Sequence, residues 1–215
     1  LNTPKNTLGV QDLAKGRSML RLIKELEDDS FAVSLQSRVG LDYFATDLEH
    51  AKVQLAAATC LMDDIDPENP NSPEIVHVVN YSEAVRLATP EIICDSIKIT
   101  LETLKEYRIA KLLGKVPNMG YDQEAIYRTE KLYTEAKEAI VFLENNIPNL
   151  YTPEGFYFVF ANGFLPVPYL MDHENKYPKA KMWQTAYKNG GIQVVDNENN
   201  SIYTLHRYQK IMSSL

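Results

Sequence analysis

Residues 75–83 read Ile75-Val76-His77-Val78-Val79-Asn80-Tyr81-Ser82-Glu83. The first five include four β-branched residues and lack the alternation of a strand that faces water on one side. Such a run reads as a strand covered on both faces, the pattern of a parallel sheet. His77, inside it, reads as a hydrogen-bonded core histidine. The run then breaks into four side chains able to make polar contacts. In parallel α/β folds ligands sit at the C-terminal ends of strands. Asn80, Tyr81, Ser82 and Glu83 are therefore candidate site residues. The competing reading is a βα loop in which Ser82 and Glu83 merely cap a helix.

Working outward, Thr89-Pro90-Glu91 is a helix start: threonine caps, proline takes the first helical position, and glutamate faces the positive end of the dipole. This helix is expected to continue to about Leu113 and stop at Gly114. Upstream, residues 66–73 hold three prolines and read as a loop. Before them a helix is predicted from Thr46 or Asp47 to about Ile65, with Glu49 suited to a capping box with Thr46. Phe31 to Gln36 reads as a first buried strand, and residues 10–28 as an amphipathic helix. Gln36, Ser37 and Arg38 then occupy the end of that first strand. Arg38 is suited either to hold a carboxylate bidentately or to pair with Asp42 or Asp47.

Past Gly114 the pattern changes. Residues 122–145 read as one long amphipathic helix. Thr152-Pro153-Glu154 starts a short aromatic helix that Gly163 ends. Phe164 to Tyr169 is expected to be extended, because two prolines restrict the residues before them. Ile192 to Asp196 and Ser201 to Tyr203, joined through Asn197 to Asn200, read as a hairpin. The alternation of helix and apolar strand predicts a parallel sheet. Two strands do not close one, since a (β/α)8 barrel takes about 250 residues. The expected fold is the C-terminal portion of a parallel (β/α)8 TIM-type barrel over residues 1–116, followed by a helical plus β-hairpin appendage over 117–215. The opening Leu1, in place of Met, adds to the expectation that the chain is a piece of something longer.

Composition narrows the function classes. The 215 residues hold 22 Lys plus Arg against 29 Asp plus Glu, a net charge of -7. A phosphate-tracking nucleic-acid surface needs clustered basic residues, so no nucleic-acid partner is expected. No apolar run reaches the roughly 18 residues of a membrane span, and no secretory signal opens the chain. Cys60 and Cys94 lie in apolar helical patterns and read as reduced, buried thiols of a cytoplasmic protein. The four histidines lack metal-ligand spacing, and Asp172-His173-Glu174 reads as a solvated loop. Asp63-Asp64-Ile65-Asp66 is suited to a divalent cation but reads better as a helix end entering solvent. No metal site is expected. No dinucleotide, Walker A or nucleophile-elbow motif is present, and no catalytic residue can be named.

With these segments placed, the chain from about Phe31 to Tyr203 resembles the C-terminal part of the large (epsilon) subunit of adenosylcobalamin-dependent glutamate mutase (methylaspartate mutase). The most specific points are Ala161-Asn162-Gly163-Phe164-Leu165-Pro166-Val167-Pro168-Tyr169 and the turn around Val195-Asp196-Asn197-Glu198-Asn199-Asn200. The resemblance implies a barrel enzyme of amino-acid metabolism that isomerises a carbon skeleton by radical chemistry. It also implies adenosylcobalamin, held mainly by a separate small B12-binding subunit with an Asp-x-His-x-x-Gly motif that is missing here. In the family a lysine and a glutamate after a late strand contact the adenosyl ribose. Asn80 and Glu83 fall in the matching stretch as cofactor-binding candidates. Asn80 departs from the lysine, and the spacing to the glutamate is one residue shorter. Gln36, Arg38, Tyr81 and Ser82 remain candidates for contact with a small-molecule substrate. The family's carboxylate-clamping arginines belong to an N-terminal half of the barrel, expected as a missing partner. The alternative is an interaction module with no chemistry, docking a partner through helices 122–145 and 152–162. An oligomer fits either reading.

Overall fold

The computed structural model describes residues 2–3, 9–40, 43–170, 172–173, 175–189 and 191–215. The chain divides into two compact units, Leu1–Tyr133 and Thr134–Leu215. In the first unit, α1 (Gly9–Lys24) buries Leu13, Ala14 and Leu20. Helix α2 (Leu48–Asp63) starts at Asp47, whose carboxylate accepts from the His50 amide at 2.8 Å. Helix α3 (Pro90–Leu112) starts as expected, with Thr89 Oγ1 accepting from the Ile92 amide. It ends at Gly114, whose φ of 65° disfavours any side chain. Helix α4 (Gln123–Asn146) contains the boundary between the units.

The strands overturn the barrel expectation. Three short parallel strands, β1 (Asn2–Thr3), β2 (Gln36–Val39) and β3 (Ile75–His77), form one small sheet in the order β1-β2-β3. The predicted strand at Phe31 to Gln36 falls later, in β2, and Phe31 only bridges back to Asp28. The predicted strand at Ile75 to Val79 stops at His77. Neither is covered on both faces. Ser37 and Val39 are buried, but Gln36, Arg38 and His77 are exposed, and Ile75 is 48% exposed. A barrel strand buries its inward side chains in the barrel and its outward ones under helices. Here α2 covers one face and the other is open, so the architecture is mixed α/β with two small sheets, not part of a (β/α)8 barrel. His77 is accordingly exposed rather than a core histidine.

The acidic run at the end of α2 also differs from expectation. Asp63 and Asp64 do not enter solvent: their side chains are 3% and 2% exposed. Lys111 Nζ, from α3, lies 2.8 Å from Asp63 Oδ2 and 2.7 Å from Asp64 Oδ1. Arg108 adds a second bond to Asp63, and the Tyr107 hydroxyl donates to Asp64. Arg17 of α1 donates to the backbone oxygens of Asp64, at 2.7 Å, and Met119, at 3.1 Å, satisfying a helix end that would otherwise leave carbonyls unpaired. Next to this clamp, Val39, Leu55, Ala58, Met62, Val79, Tyr81 and Ile92 form one apolar cluster. Leu13, Leu20 and Ile65 form another.

In the second unit, α5 (Pro153–Ala161) is capped by Thr152, which accepts from the Gly155 amide. Gly163, at φ 78°, ends the turn that follows α5. The hairpin is not the predicted one. Strands β4 (Gln184–Lys188) and β5 (Gly191–Val195) pair antiparallel, with Lys188 opposite Gly191. Asn189, at φ 50°, begins the two-residue connection. The sequence Asn189-Gly190 is a strong short hairpin signal, and it outweighs the Asp196 to Asn200 turn. That turn forms but leaves only a bridge, Val195 to Ser201. Residues after Tyr203 instead form α6 (Thr204–Met212), which buries Arg207, Tyr208 and Ile211 beside Phe164 and Trp183. Among the described residues, no helix is long and apolar enough to cross a membrane.

Candidate functional site

After β3 ends at His77, the chain passes through Val78 and Val79 into a tight turn. The Glu83 amide donates to the Asn80 carbonyl at 3.0 Å, closing Asn80 to Glu83 into one loop. Glu83 Oε1 accepts from Asn80 Nδ2 at 2.5 Å and from the Asn80 amide at 3.3 Å. The Glu83 side chain is thus folded over the strand end, yet Glu83 remains exposed. Its other oxygen, Oε2, accepts no hydrogen bond from the described residues. The pair lies in a loop just beyond β3 that Glu83 helps to close, and it presents one positioned acceptor.

The remaining candidates separate. Tyr81 is buried, and its hydroxyl donates to Asp95 Oδ2 on α3 at 3.0 Å. Lys52 of α2 bridges Glu49, at 3.0 Å, and Asp95, at 3.5 Å, with its ammonium 5.2 Å from the Tyr81 ring centre. Burial, followed by the bond to Asp95, raises the Tyr81 hydroxyl above the ordinary tyrosine value. Tyr81 therefore anchors the loop to the helices. Ser82 is fully buried, and its backbone oxygen accepts from the amides of Val85 and Arg86. Gln36 and Arg38 are not in this turn but on the open face of the sheet. Asp42, one expected partner of Arg38, lies outside the described residues.

Of the two cysteines, Cys60 is placed unfavourably for thiolate chemistry. Burial, with Asp64 and Asp63 nearby, pushes the Cys60 thiol up to about 11. Cys94 is exposed, against expectation. Among the described residues no cluster of His, Cys, Asp and Glu is arranged to hold a metal ion, and Glu174 of the Asp172-His173-Glu174 run lies outside them. A cavity of about 490 Å³ in the second unit, between Ile147, Pro148, Thr152 and Phe158, contains none of the strand-end residues. Sequence reasoning missed His77 as a strand-face residue. Its exposure follows from the later placement of β2 and from the face that α2 leaves open, which no local pattern in the sequence shows.

No family model, curated protein or solved structure matches this chain.

Proposed function

We propose that the chain contributes a ligand-positioning loop to an adenosylcobalamin-dependent carbon-skeleton mutase acting in the cytoplasm. The observation that carries this reading is the Glu83 carboxylate, oriented by Asn80 in the loop after β3, exposed, and bonded on one oxygen only. Ribose hydroxyls are donors, and a carboxylate with a free oxygen is the acceptor that fits them. Asn80 donates its amide to Glu83 and so orients it, a different job from that of a cationic donor. These residues suit the cofactor's ribose; the chain has no Asp-x-His-x-x-Gly motif to hold the corrin, a task left to a small partner subunit. When bound, the cofactor supplies the radical. Asn80 and Glu83 bind and orient. Two free thiols support a reducing compartment.

The test is an assay of the complete gene product with a small B12-binding subunit. Complex formation and a cobalamin spectral change on adding substrate are expected. Their joint absence sinks the reading. Glu83→Gln is expected to weaken cofactor binding about tenfold, the loss of one charge-assisted hydrogen bond, with the fold unchanged. Identical binding removes Glu83 from the site.

A second reading, a docking module, is favoured by Ile93, Ile97 and Leu101, exposed one turn apart on α3. Together with Ile140 and Val141 on α4 and Phe156 and Tyr157 on α5, they leave much apolar surface uncovered. Sedimentation of the complete product separates the two: a stable complex without any cobalamin dependence favours docking.

A further inference from the structure

The open face of the parallel sheet carries a second polar group, apart from the Asn80–Glu83 turn. Gln36 pairs with Ile75 and Arg38 pairs with His77 in the register of β2 and β3. Residues so paired in adjacent parallel strands project to the same face, with their backbones about 5 Å apart. The opposite face is closed by Ser37 and Val39, both buried. Arg38 and His77 are both exposed. The register therefore roots an arginine and a histidine at neighbouring positions on one face, where the two strands reach their C-terminal ends.

Their chemistry is complementary to one kind of group. A guanidinium presents five N–H donors in a planar fork, and an imidazole keeps an N–H donor in either protonation state. Of the carboxylates flanking β3, Glu74 is engaged on both oxygens and Glu83 on one. Glu74 accepts from the Leu35 amide and from Asn69, and Glu83 Oε1 from Asn80. Arg38 already interacts with another group of the chain, and five donors allow it to keep that contact and take a ligand as well. We propose that Arg38 and His77 bind an oxyanion group of a small molecule, a carboxylate or a phosphate, on the open face of the sheet. The site does not depend on the cobalamin reading, because neither Asn80 nor Glu83 takes part in it.

Titration calorimetry of the complete gene product with succinate and, separately, with inorganic phosphate tests this. Saturable binding of at least one probe is expected, and the probe that binds identifies the oxyanion as carboxylate, phosphate or either. Arg38→Gln and His77→Asn should each weaken it about tenfold or more, the loss of one charge-assisted hydrogen bond. Arg38→Lys should recover part of the loss through charge but not the bidentate geometry. Circular dichroism confirms that the variants fold. Lys105→Gln, which removes an exposed charge from α3, is the control. Absence of binding by both probes overturns the proposal. So does binding that survives both substitutions, or that Lys105→Gln weakens equally.

Discussion

Replacing Lys111 with Met probes the joint between α2 and α3. The Lys111 side chain is 15% exposed, and its ammonium lies within 2.8 Å of both Asp63 and Asp64, whose side chains are almost wholly buried. Met keeps most of the volume and removes the charge. Asp63 retains Arg108, but Asp64 keeps only the neutral Tyr107 hydroxyl as a side-chain partner. Breaking a buried pair costs about 3–5 kcal/mol, because a carboxylate is left without compensation. Arg108 limits the damage at Asp63, so the lower end, about 3 kcal/mol, is expected. For a chain of this size each kcal/mol lowers Tm by about 2–4 °C, giving a fall of about 6–12 °C. Burial opposes the charge on Lys111, and the bonds and charges of Asp63 and Asp64 outweigh it, so its pKa lies above the ordinary lysine value. The sign follows. The stabilisation is fully present at neutral pH and below the unfolded lysine pKa. It is lost as pH rises through the raised folded value. Urea unfolding at pH 7, followed by circular dichroism, measures the cost. Adding Asp64→Asn to Lys111→Met removes the stranded charge and should restore about half of the loss. A loss below about 1 kcal/mol at pH 7, the worth of an exposed pair, refutes the buried-clamp argument.

Three further outcomes are expected. Gly155→Ala improves helix propensity by about 1 kcal/mol. Its Cβ, however, would lie 2.2 Å from the Asn149 oxygen and 2.7 Å from the Leu150 oxygen, so a net loss of about 1–3 kcal/mol is expected; an unchanged or higher Tm contradicts it. At pH 8 a thiol reagent should label the exposed Cys94 quickly. Cys60, with its thiol pushed up to about 11, should react about a hundredfold more slowly; equal rates by mass spectrometry contradict this placement. Glu74 is held below the ordinary glutamate value by backbone hydrogen bonds, its own and that of Leu35. Its stabilising contribution is therefore present above the unfolded pKa and lost as pH falls through the depressed folded value. Glu74→Gln should flatten the acid limb of the stability curve, and an unchanged limb removes Glu74 from it.

The helix starts were legible because they are local. Thr89-Pro90-Glu91 and Thr152-Pro153-Glu154 contain the cap, the fixed φ and the dipole partner within three residues, and both helices begin there. The Asn80–Glu83 turn was legible for the same reason, as a polar break after a β-branched run. What escaped the sequence depends on partners distant along the chain. A β-branched run can lie under helices on both sides or on one, and only the placement of α2 showed that β2 and β3 keep an open face. That decided against a barrel and turned His77 outward. Tyr81 looked like a strand-end ligand until Asp95 and Lys52, on two helices, drew it into the core. The Asp63-Asp64 run looked solvated because the lysine that compensates it lies almost fifty residues later, on α3. Capping and turn chemistry are written in neighbouring residues. Burial and charge compensation are set by what folds against them.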